Sequence, residues 1–190
     1  MQKFPKLETA RLSLRLPTVQ EAPLIVKFLE KNRDHFYPWE PLRPPEYFSL
    51  EAWQNGCHYA REEYLNDASL RLKVFLKEAP VLIGFANFTN IVRGPLQSCL
   101  LGYMLDKDYQ GKGLMTEALR AGIRFIFEEQ NLHRIEASYM PRNQRSANVL
   151  KRLGFEIYGE EDDYLQIAGE WERHVHVRLI NQHWQRPESI

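Results

Sequence analysis

The sequence predicts an α/β chain of the α+β kind, with roughly six to seven strands flanked by four helices. Three observations predict it. Residues 70–77, 81–90 and 98–105 are strand-like segments whose connections are too short for a crossover helix, so they form an antiparallel meander. Residues 114–128 carry an apolar stripe of period 3.6 directly after a loop with two glycines, "QGKGLM". Residues 134–140 alternate again and lead into a second short helix ended by Gly154, a candidate left-handed cap.

In chain order, "RLSLRL" (11–16) alternates as a half-buried strand, and Pro17 ends it because proline fixes φ and lacks an N–H. Residues 19–31 place Leu24, Ile25, Phe28 and Leu29 on one helical stripe. "FYPWEPLRPP" follows as an aromatic, proline-rich loop. Leu50 to Leu65 read as a helix carrying Trp53, Cys57, Ala60 and Tyr64 at helical spacing, and the three meander strands come next. In the helix after the glycine loop, Met115, Leu119, Gly122, Ile123 and Ile126 make the apolar stripe, while Glu117, Arg120, Arg124 and Glu128 take the other face. "RIEASYM" is a strand, "NQRSANVLKRLGF" a helix from Asn143, and 156–167 and 171–180 are the last two strands.

The chain has 190 residues, enough to bury a substantial core, and nothing in it marks a linker or repeat. It is therefore expected to be one domain over 1–190. Twenty-five basic residues balance twenty-five acidic ones, which gives no overall field toward nucleic acid or an anionic membrane. Cys57 and Cys99 are in no CxxC spacing, as expected of a reducing compartment. The N-terminus lacks the apolar core of a signal peptide and no run reaches a membrane-spanning length. A cytoplasmic protein, monomer or homodimer, is the expectation.

The loop "DKDYQGKGLMT" has the makings of an anion site: a helix N-terminus carries unpaired N–H groups and partial positive charge, and glycines let the backbone approach a phosphate. A Walker A loop is excluded because the lysine sits between the glycines instead of after the second. A dinucleotide fingerprint is weak, since Thr116 stands where the third glycine belongs. A plain turn into a helix is the competing reading of a lone GxG.

Taken with its surroundings, the loop resembles that of the GCN5-related N-acetyltransferase (GNAT) superfamily, whose coenzyme A loop reads Q/R-x-x-G-x-G/A. Gln110, Gly111, Lys112, Gly113, Leu114 and Met115 occupy those positions, with Met115 departing from the last. "NQRSANVLKRLGF" resembles the superfamily's second motif. "LETARLSLR", "PWEP", "ANFTNIVRG", "QGKGLMTEAL" and "HRIEASYMPRNQRS" are together similar to the ribosomal-protein alanine N-acetyltransferases, the RimJ type in particular. The resemblance implies a mixed, largely antiparallel sheet splayed between 98–105 and 134–140. Acetyl-CoA enters the split as cosubstrate: its pyrophosphate lies on the amides of residues 110–116, including Thr116, and Asn143 and Ser146 face its pantetheine arm. An N–H near Met104 or Leu105 meets the thioester oxygen, acting like an oxyanion hole worth about 3 kcal/mol. Lys112 and Arg145 are candidate phosphate partners.

Acyl transfer to an amine needs a neutral nucleophile, and an α-amino group with a pKa near about 8 is far easier to deprotonate than a lysine near about 10.4. By resemblance, Asp163 beside Tyr164 is the first candidate for the carboxylate that helps, with Glu40 of "PWEP", Glu161 and Asp162 as alternatives. "GEEDDY" also reads as a solvated turn, and such an acidic patch near the acceptor would favour a cationic peptide. For the thiolate's proton, many relatives place a tyrosine where this chain has Leu150, so Ser146 is the matching hydroxyl and Tyr139 an outside candidate. Phe36, Tyr37 and Trp39 are candidate walls of the acceptor pocket. His174 and His176 share a strand face but lack a third ligand in sequence reach, so no metal is expected. Neither cysteine lies in these motifs, which predicts direct attack in a ternary complex and no acyl-enzyme. The acceptor expected is the N-terminal alanine of a ribosomal protein; a small amine, or a non-catalytic coenzyme A-binding assembly module, are the rivals.

Overall fold

Eight strands form one sheet in the computed structural model of the chain, which describes residues 4–186. They are β1 (Lys6–Glu8), β2 (Leu12–Arg15), β3 (Leu70–Leu76), β4 (Leu82–Val92), β5 (Ser98–Leu105), β6 (Arg134–Tyr139), β7 (Glu156–Ile167) and β8 (Glu170–Ile180). Their order in space is β1-β2-β3-β4-β5-β6-β8-β7. The meander β3-β4-β5 is antiparallel, and the single parallel pair is β5 with β6. One strand exceeds the expected number. β1 has only three residues, too few to show alternation, and is identified by its pairing with β2 from Lys6↔Arg15 to Glu8↔Ser13.

The helices are α1 (Ala22–Lys31), α2 (Arg33–Phe36), α3 (Leu50–Leu65), α4 (Leu114–Glu128) and α5 (Gln144–Arg152). The first helix starts later than its apolar stripe suggests, because residues Val19–Glu21 form a 3-10 turn whose Glu21 carboxylate accepts from the Thr18 amide at 2.9 Å. The aromatic segment is more ordered than a loop: α2 runs into its first residue, and the 3-10 turns Tyr37–Trp39 and Pro45–Phe48 follow, both of these turns with proline in the first turn, where a missing N–H costs nothing.

Each face of the sheet has its own core. α4 lays Leu119, Ile123 and Ile126 against Leu72, Val74, Ala86 and Phe88, with Leu150 of α5 in the same cluster. On the other face, Ile25, Phe28 and Leu29 of α1 and Cys57 of α3 pack on Phe75, Leu82 and Phe85. Period-2 alternation in β3 and β4 thus feeds both layers, which is why these strands read as nearly continuous apolar runs.

The feature that positions the site is the short pairing of β5 with β6. Only Ser98↔Arg134, Cys99↔Ile135 and Leu100↔Glu136 are in register. β5 then stays with β4 as far as Leu105, while β6 stays with β8 as far as Tyr139. The two halves of the sheet part between them. Backbone alternation shows which amides face the gap. At one end of β5, Gln97 O accepts from His133 and Arg134; at the other, Asp106 N–H donates to Ile83 O at 2.8 Å. Odd-numbered residues therefore turn their backbone groups toward β6 and even-numbered ones toward β4. Of the two expected candidates, Leu105 directs its N–H to the gap, together with Tyr103, and Met104 directs its own to β4.

β4 and β5 approach closely here: a Cβ on Gly84 would lie 2.5 Å from the Met104 carbonyl oxygen and 3.3 Å from the Met115 methyl. Gly84→Ala must push β5 away from β4, and we expect a loss of about 1–3 kcal/mol in urea unfolding. An unchanged midpoint would show that the strands are not packed this tightly.

Candidate functional site

The gap opens into a cleft of about 510 Å³. Leu101 to Leu105 of β5 form one wall, Ser138 and Tyr139 of β6 another, and the glycine loop with the first turn of α4 and the first turns of α5 close one end. Phe36, Trp39, Glu40 and His174 line the remainder.

The glycine loop is held from three directions. Asp106, 2% exposed, accepts from the Asp108 amide at 2.9 Å, from Lys31 at 2.8 Å and from Asn32 at 3.1 Å, which ties the start of the loop to α1. Burial alone would raise its carboxyl; the hydrogen bonds from Lys31, Asp108 and Asn32 outweigh that and hold it below the usual range. At the far end, Glu117 of α4 accepts from Thr9 Oγ1 at 2.6 Å, from the Arg11 amide at 2.9 Å and from Arg11 Nε at 2.7 Å. Arg11 also donates to Lys112 O at 3.1 Å. On the third side, Arg145 donates to Gln110 Oε1 at 2.6 Å, and Gln110 Nε2 lies 2.8 Å from His35 Nε2. Because Arg145 occupies the amide oxygen, the amide nitrogen is the donor and His35 Nε2 the acceptor. Burial, Arg145 and Lys107 lower the His35 pKa, which suits this neutral ring.

Gly111 and Gly113 have φ of 74° and 73°, the left-handed region, and Gly113 is the N-cap of α4. The helix makes its first bond from Glu117 N–H to Gly113 O at 3.1 Å, so the amides of Leu114, Met115 and Thr116 lie ahead of the ladder. No side chain caps them. A positively polarised, side-chain-free helix start beside a cleft fits a diphosphate. The Lys112 side chain does not join it here: Nζ donates to Asp108 O at 2.9 Å and sits 5.3 Å over the Tyr109 ring.

Across the cleft, Asn143 is the N-cap of α5 and its Oδ1 accepts from the Ser146 amide at 3.1 Å, so that oxygen is committed to its own helix. Ser146 Oγ lies 2.7 Å from the hydroxyl of Tyr103. Sequence reasoning missed Tyr103. A phenol from β5 thus reaches the first turn of α5, and burial pushes its pKa up to about 12 against the lowering effect of Ser146. The signal was there in phase: Cys99, Leu101, Tyr103 and Leu105 share the core-facing side of β5, and a tyrosine in that row needs a hydroxyl partner.

At the other end Glu40 is the notable group. Its Oε2 is 3.4 Å from Arg43 Nε, and its Oε1 is buried without a hydrogen-bond partner. Burial raises its pKa, opposed by Arg43. Its backbone is fixed, since Ala168 N–H donates to Glu40 O at 2.9 Å, and Arg142 holds the preceding turn through Pro38 O at 3.2 Å with its guanidinium 5.0 Å over Trp39. His174, 4% exposed, donates or accepts at Nδ1 with Glu172 O at 2.9 Å; a carbonyl only accepts, so Nδ1 carries the proton.

Other expected residues lie elsewhere. Asp163 is exposed at φ 52° in a bulge of β7 between Glu161 and Leu165, and Tyr164 packs edge-on to His174 and His176 at 5.4 Å and 4.5 Å. Neither lines the cleft, because β8 is interposed between β6 and β7 and leaves β7 at the sheet edge. Asp162 pairs with Arg173 at 3.3 Å and Glu161 with His176 at 3.5 Å on the same edge. The acidic run therefore lies on the edge strand and does not line the cleft. No group of three or more metal-ligating side chains occurs among the described residues, and no helix there is long and apolar enough to cross a membrane.

A splayed sheet, a glycine loop at a helix start and a hydroxyl pair across the split define an acyltransferase of the coenzyme A-dependent kind, and residues 11–156 match the family described as "Acetyltransferase (GNAT) domain". The chain belongs to the GNAT acetyltransferase family. It is 40% identical over 179 residues to the [Ribosomal protein uS5]-alanine N-acetyltransferase of Escherichia coli K12, a match covering 94% of this chain and 92% of that protein. It superposes on the ribosomal-protein-S5-alanine acetyltransferase of Vibrio fischeri with a TM-score of 0.92 and 37% identity, covering 96% of this chain and all (100%) of that one. The Mycobacterium smegmatis RimJ structure, in complex with CoA-disulfide, aligns at a TM-score of 0.86 and 26% identity over 96% of this chain and 89% of that one. Acetyl-CoA is thus the donor to fit in the cleft, and the unladdered amides at Leu114 to Thr116 suit it.

Asp106 provides a check on the loop's anchoring. Its lowered pKa means a stabilising contribution that is present above about pH 4, the unfolded range, and disappears as pH falls through the folded value. Asp106→Asn is expected to cost about 1–3 kcal/mol at pH 7 in denaturant unfolding, with the difference from wild type shrinking toward pH 2. A pH-independent difference would contradict the charged pairing.

Proposed function

We propose that this chain transfers the acetyl group of acetyl-CoA to the N-terminal α-amine of a ribosomal protein, with alanine as first residue. The observation that carries the reading is the 40% identity, over nearly the full length of both chains, to the E. coli enzyme named for that reaction. The buried carboxylate at the far end of the cleft supports it, since a cationic amine would supply the partner that Glu40 Oε1 lacks.

In this reading the amides at the start of α4 and the Gly111–Gly113 turn hold the diphosphate, with Gln110 and Arg145 beside them. Leu105 N–H meets the thioester oxygen and stabilises the charge that develops on it. Glu40, with its raised pKa, receives the ammonium and takes its proton; its elevated basicity brings it toward an α-amine near about 8. The free amine attacks the carbonyl carbon, the C–S bond breaks, sulfur leaves as thiolate, and the second proton that the nitrogen sheds on becoming an amide passes to solvent. Tyr103 at about 12 is a weaker acid than a thiol near about 8.5, so it does not drive full proton transfer; it orients Ser146 to donate a hydrogen bond to the thiolate. Cys57 and Cys99 are both fully buried, and burial pushes Cys99 up to about 12, which supports direct attack over a thioester on the enzyme.

Intact-mass analysis with acetyl-CoA should show one added acetyl on peptides beginning with alanine and none on spermidine or an aminoglycoside; the opposite pattern overturns the acceptor assignment. Ser146→Ala is expected to lower kcat by about 10- to 100-fold with little change in KM for the acceptor, measured by thiol release. Glu40→Gln should lower kcat/KM by about 100-fold or more. The raised pKa of Glu40 has a sign consequence: its favourable contribution to folding belongs to the protonated form, present below about pH 4 and lost as pH rises through the folded value. Glu40→Gln should therefore unfold at the same or a higher temperature than wild type at pH 7. A variant both inactive and less stable would make Glu40 structural.

A further inference from the structure

A second cavity of about 230 Å³ adjoins the cleft, and Phe36 and Glu40 line both. Its rim carries two guanidinium groups laid on aromatic rings: Arg33 4.5 Å over Phe48 and Arg43 4.6 Å over Tyr47. Stacking leaves the edges of each guanidinium, where its N–H donors are, available for a planar anion. The charges here do not balance. Arg33 has no carboxylate within ion-pair distance among the described residues, and Arg43 has only Glu40, at 3.4 Å. Once an acceptor ammonium takes Glu40, two arginines and one ammonium face a single carboxylate.

We infer that this cavity is an acceptor subsite that takes the acidic side chain of the second or third residue of the peptide being acetylated. The inference rests on the reading that the acceptor is a peptide N-terminus. An extended peptide advances about 3.3 Å per residue, so a chain with its amine at Glu40 carries its next side chains into the adjoining cavity. The rings of Phe36, Tyr47 and Phe48 contact the aliphatic stem, and Arg33 and Arg43 pair with the carboxylate. This reverses the expectation of a cationic peptide, because the acidic run that prompted it lies on the β7 edge.

The test uses peptides with alanine first and Glu, Gln or Lys at position 2 or 3, assayed for kcat/KM with the wild type, Arg33→Gln and Arg33→Glu. Arg33 is exposed, so both variants should fold, as circular dichroism will confirm. At one of the two positions the wild type should prefer Glu over Lys by roughly tenfold, Arg33→Gln should narrow that ratio, and Arg33→Glu should invert it. Peptides acetylated without charge preference, or a ratio that Arg33→Glu leaves unchanged, overturn the subsite and leave the peptide acceptor standing. Acetylation of spermidine and of none of the peptides overturns both.

Discussion

Two parallel strands that hydrogen-bond for three residues and then separate set up the rest of this molecule. Where β5 leaves β6, the sheet exposes backbone groups that would otherwise be paired, and the orphaned amides of Tyr103 and Leu105 become available for chemistry. The separation is tolerated because each strand keeps its other neighbour: β4 holds β5 to Leu105, and β8 holds β6 to Tyr139. The core under α4 and α5 takes in side chains from both halves, Leu72 and Ala86 on one and Ile135 and Val177 on the other, so opening the sheet does not unravel it.

In the proposed reaction the site is assembled from parts that no single element contains: β5 would contribute a phenol and an amide, α4 a polarised N-terminus, α5 a hydroxyl and the turn after α2 a carboxylate. What keeps them in place is mainly hydrogen bonding to buried or half-buried carboxylates: Asp106 gathers α1 and the start of the loop, and Glu117 gathers the N-terminal segment and α4. Glu40 contrasts with both. It lacks the partners that depress the other two, and a buried acceptor left unpaired is the kind of local cost that structures carry where a ligand will complete them.

Much of this was legible in the sequence, and the limits have physical causes. The glycine loop, the cap at Asn143 and the split between two named strands follow from local spacing and resemblance, because turns and helix starts depend on neighbours in sequence. Glu40 could be named only as one of several acids, since its burial depends on Ala168 and Arg142 binding its loop from a distance. Asp163 and Tyr164 were misplaced for a topological reason: the last two strands enter the sheet in the order β8 then β7, and local pattern says nothing about which of two hairpin strands lies inside. Tyr103 was hidden because a tyrosine in an apolar strand looks like core until its hydroxyl partner, 43 positions away, is known.

The bonds that join Thr9 and Arg11 to Glu117 span 108 and 106 positions of chain. Thr9 and Arg11 therefore wait, during synthesis, until more than a hundred further residues have emerged before they can clasp the start of α4. Assembly of the sheet's first half can run ahead of that moment, but fixing of the glycine loop against it cannot.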